Sequence, residues 1–191
     1  MKKLVVFVFT LCIIFQASNA QSPVNLGIKA GLNSSKLTTN LDDYDEKNIN
    51  NFVAGMFLRV NAGKFYLQPE AYFNSKGGDL KNVEGTNSFD LKAIDVPILL
   101  GYKIVDVGAF NARLNTGPVF SFFTSKDVNN GSSFDPKNFK DNIFGWQYGA
   151  GVDFMFLSLD VRMENSFGDI YSGSSDEKIK TFLVTLGFKL F

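Results

Sequence analysis

The sequence predicts an all-β fold, an eight-stranded antiparallel transmembrane β-barrel. Apolar and polar residues alternate with a period of two in eight segments of about ten residues, which is the pattern of strands with one apolar and one polar face. The connections between these segments alternate between short turns and long polar stretches. One face of the strands collects most of the large apolar residues and the other collects the charges, so the exterior of the barrel is expected to be apolar.

The first twenty residues are typical of a cleaved secretory signal. A short basic start precedes an apolar run at residues 4–15, and small residues at positions 18 and 20 precede a predicted cut at Gln21. The alternative is an N-terminal transmembrane anchor, but the apolar run is shorter than the ~20 residues that span a bilayer. We therefore expect residues 1–20 to be a signal peptide and residues 21–191 to be an outer-membrane barrel domain.

Composition narrows the classes of function. The 191 residues include 19 basic and 19 acidic ones, so the chain lacks the basic excess of nucleic-acid binders and we expect no nucleic-acid partner. The absence of His removes the commonest general base and the commonest metal ligand. The one Cys, Cys12, lies in the predicted signal, so we expect no disulfides and no Cys-based metal site in the mature chain. We expect no catalytic residue, no cofactor and no metal.

The alternating segments define the predicted strands. In the first segment Leu26 and Leu32 share one face, whereas Asn25 and Lys29 share the other. The eight predicted strands span residues 24–33, 52–61, 65–74, 92–104, 110–121, 144–154, 157–164 and 180–190. This number of strands suits a barrel of the OmpA or OmpX size, which is only wide enough to be filled by its own side chains.

The connections predict the orientation of the barrel. Short connections lie near residues 62–64, 105–109 and 155–156. Long polar connections lie near residues 34–50, 75–91, 122–142 and 165–179. Because outer-membrane barrels have short periplasmic turns and longer extracellular loops, we expect short periplasmic turns and four long extracellular loops. Unpaired backbone groups cost several kcal/mol each in lipid, so the sheet must close on itself.

A soluble barrel of the lipocalin type also alternates, but its apolar face points inward. The polar face of this chain carries too many charges to hold an apolar ligand, so we interpret it as the lumen of a membrane barrel. Charges buried in a narrow lumen must pair with one another, because burying an unpaired charge is costly. The predicted structural charge network consists of Lys29, Arg59, Glu70, Asp95, Arg113, Asp160, Arg162 and Glu164.

Aromatic residues near the ends of the predicted strands suit the interfacial girdles of a membrane barrel. Such girdles flank the apolar band at both water interfaces, so their members are expected on the outward face. The predicted members are Phe52, Phe65, Tyr102, Phe110, Phe120, Phe144, Phe154 and Phe188.

Several stretches resemble the PorT-like outer-membrane β-barrel family of Bacteroidetes. The stretches are LGIKAGLNSSKL at 26–37, FYLQPEAYFNSKG at 65–77, IDVPILLGYKI at 94–104, YGAGVDF at 148–154, LDVRMENSFGDI at 159–170 and LGFKLF at 186–191. The resemblance implies a barrel in the outer membrane of a Gram-negative bacterium, inserted by the barrel-assembly machinery, and PorT itself is linked to protein secretion. The chain departs from the family pattern at Phe191, which lies one position beyond the lipid-facing register of Leu186, Phe188 and Leu190.

These observations favour a non-catalytic outer-membrane protein with a closed, charge-filled lumen and a structural or surface-binding role of the extracellular loops. One alternative is an accessory role in protein secretion across the outer membrane, as the resemblance implies. A second alternative is a soluble periplasmic ligand carrier of the lipocalin type. The expected partners are outer-membrane lipid, the barrel-assembly machinery during insertion, and an unidentified extracellular or periplasmic protein.

Overall fold

The computed structural model describes residues 23–38, 45–47, 49–82, 85–128, 142–167 and 178–191. The predicted signal peptide and parts of the predicted loops lie outside these residues. The strands within the described residues are β1 (Val24–Thr38), β2 (Asp45–Lys47), β3 (Ile49–Ala62), β4 (Phe65–Asn82), β5 (Gly85–Val107), β6 (Phe110–Val128), β7 (Asn142–Phe154), β8 (Leu157–Phe167) and β9 (Lys178–Lys189). Among the same residues, no helix is long and apolar enough to cross a membrane.

Of the strands described, all but β2 form a closed antiparallel barrel, which confirms the predicted eight-stranded fold. Each strand pairs with the next along the chain, the pairing of β4 with β5 completes one side, and β1 pairs with β9 to close the ring. The three-residue β2 pairs with residues 79–81 of β4, near the end of β4 that is farthest from the short turns. At the closing seam, the Leu26 N–H donates to the Phe191 carbonyl at 3.1 Å and the Leu190 N–H donates to the Leu26 carbonyl at 2.8 Å. The seam is therefore paired as far as the last residue.

The apolar face of the barrel points outward. Along β7 and β8, exposed and buried residues alternate almost without interruption. The exposed positions of β7 include Phe144, Trp146, Val152 and Phe154, whereas Asp153 between them is fully buried. A lipocalin has the opposite arrangement, so the alternative of a soluble ligand carrier is wrong for this barrel.

The aromatic residues predicted for the girdles are all exposed on the outer wall. Phe144 and Phe154 lie near opposite ends of β7, and the ten residue steps from one to the other span about 33 Å of strand, or about 25 Å along the axis at a tilt of ~40°. This height matches the apolar band of outer-membrane barrels. Neighbouring rings contact one another within each girdle, with centroids 5.0 Å apart for Phe65 and Tyr102 and 5.4 Å apart for Phe120 and Phe144.

The predicted loops are shorter in the structure because the strands continue into them. Residues 75–91 were predicted as a loop, but β4 and β5 remain paired from Ser75 and Lys92 up to Asn82 and Gly85. This prediction is wrong because the polar composition of the stretch indicates only that water surrounds it. A hairpin with water on both faces pairs through its backbone and needs no apolar face. Residues 39–44, 129–141 and 168–177, which belong to the other three predicted loops, lie outside the described residues.

Three strands extend well beyond the apolar band. The strands β4, β5 and β6 contain 18, 23 and 19 residues. The pairing of β5 with β6 continues to Phe89 and Val128. These three strands therefore rise above the apolar band at the end opposite the short turns.

Candidate functional site in the barrel lumen

The barrel lumen contains the predicted charge network. Because every second residue of each strand points inward, the network residues of β1, β3, β4, β5, β6 and β8 converge on the barrel axis. All eight predicted residues are buried: Lys29, Arg59, Glu70, Asp95, Arg113, Asp160, Arg162 and Glu164. They lie in two ion-paired clusters and one group linked by amide side chains.

The cluster nearest the short turns is centred on Arg113 of β6. Its guanidinium group donates to Asp160 through both terminal nitrogens, at 2.5 Å and 3.0 Å, and to Asp153 at 3.0 Å. Arg59 of β3 forms an ion pair with the other carboxylate oxygen of Asp153. The Ser158 hydroxyl accepts a further hydrogen bond from Arg113 at 2.6 Å. Two guanidinium groups and two carboxylates from four strands thus neutralise one another.

The second cluster is centred on Glu70 of β4. Arg162 of β8 binds both carboxylate oxygens of Glu70, each at 2.8 Å, in the two-pronged geometry that makes such pairs strong. Lys29 of β1 also forms an ion pair with Glu70. Gln68 joins the two clusters, because its amide accepts from Arg59 and donates to Glu70, both at 2.5 Å. Three strands, β1, β4 and β8, are therefore joined through one carboxylate.

The remaining two predicted carboxylates lie farther from the short turns and bind amide side chains. Asp95 of β5 accepts a hydrogen bond from Asn74 at 2.7 Å. Glu164 of β8 accepts one from Gln147 at 2.7 Å, and the same Gln147 nitrogen donates to the Tyr72 hydroxyl at 2.5 Å. This amide-linked group extends the polar network toward the long-strand end of the barrel.

Aromatic rings fill the space between the charged groups. The Tyr66 ring lies between two guanidinium groups, with its centroid 5.0 Å from Cζ of Arg59 and 6.0 Å from Cζ of Arg113. The Lys29 ammonium lies 4.2 Å from the centroid of the Tyr72 ring. Such contacts between a cation and an aromatic face are attractive, and more so where water is absent. The glycine at position 101 makes room for Tyr66, since a Cβ there would lie 1.9 Å from the ring.

Sequence reasoning left one central member out of the predicted network. Asp153 forms ion pairs with both Arg59 and Arg113, and its place on the polar face of β7 is the signal that identifies it. Val53, Tyr72 and Leu183, which the alternation places on the inward face, form a buried cluster inside the barrel. The lumen is thus filled by both charged and apolar side chains.

The charged side chains in the lumen are placed so that they neutralise one another. Each of the three carboxylates in the ion-paired clusters contacts at least two cationic side chains or one in two-pronged geometry. At the rim beside the short turns, the buried Lys103 and the more exposed Asp106 form a further pair at 3.4 Å. Within the described part of the chain, no group of three or more His, Cys, Asp or Glu side chains is placed to hold a metal ion.

A closed eight-stranded barrel with an apolar exterior and a polar, paired interior defines the class of outer-membrane β-barrels. The sequence profile of the family described as "Outer membrane protein beta-barrel domain" matches residues 16–172. The chain belongs to this family, and it is therefore an outer-membrane protein. In barrels of this class the short turns lie on the periplasmic side and the longer connections lie on the extracellular side.

Two solved structures share the fold. The outer membrane protein OprG from Pseudomonas aeruginosa superimposes with a TM-score of 0.53 at 15% identity, covering 87% of this chain and 94% of OprG. Neisserial surface protein A superimposes with a TM-score of 0.53 at 12% identity, covering 86% of this chain and 97% of that protein. None of the curated proteins compared with the chain matches it. At these identities the likeness is one of fold.

The substitution Glu70→Gln tests the central ion pairs. It keeps the shape of the side chain but leaves Lys29 and Arg162 facing a neutral amide. Breaking a buried pair in this way costs about 3–5 kcal/mol, so we expect the free energy of unfolding to fall by that amount. Urea unfolding in detergent micelles, followed by the fluorescence of Trp146, measures it.

The matched control for this experiment is Asp106→Asn. This change removes the more exposed partner of the Lys103–Asp106 pair at the rim, whereas the Glu70 side chain is fully buried, so the loss should be smaller than for Glu70→Gln. Equal losses in the free energy of unfolding for Glu70→Gln and Asp106→Asn would show that the lumen cluster stabilises the barrel no more than the pair at the rim does.

Proposed function

We propose that this protein is a non-catalytic outer-membrane barrel that binds a partner at the cell surface through its extracellular end. The observation that carries the proposal is the extension of β4, β5 and β6 beyond the extracellular girdle. From Asn74 and Ala93 to Asn82 and Gly85, the paired hairpin of β4 and β5 runs for about 27 Å of strand. A paired sheet of this length presents a preformed surface, which reduces the entropy lost on binding.

The filled lumen supports a binding role over a channel role. Asp153 and Gln147 are fully buried, and Arg59 and Arg113 are each 1% exposed, so the largest side chains of the lumen are inaccessible to water. Their ion pairs connect β3, β6, β7 and β8 across the lumen. A solute could pass only if several of these pairs broke together, and breaking each would leave an uncompensated buried charge.

Planar-bilayer recording tests the closed lumen. The purified barrel, inserted into a phospholipid bilayer, is expected to give no large and stable channel openings, because the ion-paired side chains occupy the lumen. Retention of the folded form is checked by the heat-dependent mobility of the protein in gels. Reproducible openings of porin size would contradict the closed-lumen part of the proposal.

Single-cysteine labelling tests the exposure of the hairpin at the cell surface. The predicted mature chain has no Cys, so a Cys introduced at Thr86, near the hairpin tip, or at Lys64, in a short turn, is unique. On intact cells, a membrane-impermeant maleimide should label Thr86→Cys and leave Lys64→Cys and the parent protein unlabelled. After lysis, Lys64→Cys should become labelled. The reverse pattern on intact cells would place the hairpin on the wrong side of the membrane.

The second candidate function is an accessory role in protein secretion. It is favoured by the resemblance of the stretches at 26–37, 65–77 and 94–104 to PorT-like barrels. In this role, insertion by the barrel-assembly machinery and contact with a periplasmic or extracellular protein would be required. Deletion of the gene followed by analysis of secreted proteins separates the two functions. A loss of secreted proteins supports the accessory role, whereas an unchanged set of secreted proteins supports the surface-binding role.

A further inference from the structure

The outer wall of the barrel contains an apolar groove that crosses β5, β6, β7 and β8. Its volume is about 650 Å³, within the range of small-molecule pockets. The small side chains Thr116 and Ala150 lie between larger ones that stand on either side, namely Leu100, Leu114, Tyr148 and Val161. Because all six side chains point outward, the groove opens toward the membrane and not toward the lumen.

A second depression prolongs this groove toward the periplasm. It has a volume of about 280 Å³ and shares Leu114, Ala150 and Val161 with the first. It continues to Ala112 and Val152, which pair with each other close to the short turns. Ala150 is the small residue that lines both depressions, and Leu114 and Val161 border both. Together the two depressions extend to the periplasmic end of the barrel wall.

Two polar side chains at the groove form hydrogen bonds within the barrel wall. The Trp146 indole N–H donates to the Thr116 hydroxyl at 2.7 Å, and that hydroxyl donates to the Gln147 carbonyl at 3.1 Å. An occupant therefore meets apolar surface and internally bonded polar groups. An apolar chain suits this environment, because it requires no hydrogen bond from the wall.

We propose that the groove binds one acyl chain of a phospholipid from the periplasmic leaflet. The groove is continuous with the lipid-facing wall, so lipid chains are what it meets in the outer membrane. Phe65 and Tyr102, in the periplasmic girdle, line its edge and place the lipid headgroup at the water interface. The convex wall of a second barrel would leave the space between the flanking side chains empty, and voids of this size are rare in packed interfaces.

The test uses Trp146, the single Trp of the chain, as a reporter of occupancy. The folded barrel in detergent micelles is titrated with phosphatidylethanolamine that carries a dibrominated stearoyl chain, because bromine quenches a nearby indole. In micelles the surrounding apolar phase is detergent, so a specific site appears as saturable quenching. We expect saturation near one lipid per barrel for the parent protein.

Two substitutions fill the groove from different strands, and one matched control leaves it open. Ala150→Leu and Val161→Phe should abolish the saturable quenching, whereas Ala54→Leu, at an outward-facing position of β3, should behave as the parent protein. Heat-dependent gel mobility shows which variants are folded, and either filled variant suffices for the comparison. Non-saturable quenching of the parent protein would overturn the proposal, as would saturable quenching that persists in a folded, groove-filled variant.

Discussion

The constraint on which the rest of the structure depends is that every backbone group in the apolar band must find a partner within the protein. A sheet in lipid has no water to satisfy its edges, so it must close. Here closure is achieved between β1 and β9, and the carbonyl of the last residue takes part in it. Closure with eight strands then sets a narrow lumen. A narrow lumen excludes water, and this is why the charges inside it are found in contact with one another.

The lumen of this protein has the role that the hydrophobic core has in a soluble domain. Its central carboxylates each link several strands. The ion pairs therefore connect parts of the wall that share no backbone hydrogen bonds. Small residues make this packing possible. A Cβ at Gly101 would overlap the Tyr66 ring, and a Cβ at Gly151 would lie 2.5 Å from both the Arg113 and Asp160 side chains. These two glycines thus leave room for side chains that reach across the lumen.

The fold could be predicted from the sequence because lipid imposes a strict alternation on each strand. The register of Leu186, Phe188 and Leu190, for instance, is outward as predicted, and Phe191 lies one position beyond it.

Three features could not be predicted in this way. The hairpin at 75–91 pairs in water, where no apolar face marks a strand, and its polar composition was interpreted as a loop. The groove at Thr116 and Ala150 depends on the sizes of neighbours from four strands, which only the three-dimensional register brings together. Asp153 was on the predicted inner face, but its two arginine partners come from distant segments.

The pairing of the first strand with the last has a consequence for how the chain folds. Gly27 pairs with Lys189, so this contact joins residues about 160 positions apart in a chain with otherwise local strand pairs. The entropy of closing so long a loop is lost before the final hydrogen bonds compensate for it. The outer edge of β1 therefore remains open until β9 pairs with it. Open edges are templates for wrong pairing, so the interval before this last pairing is the period in which the barrel is most prone to aggregation.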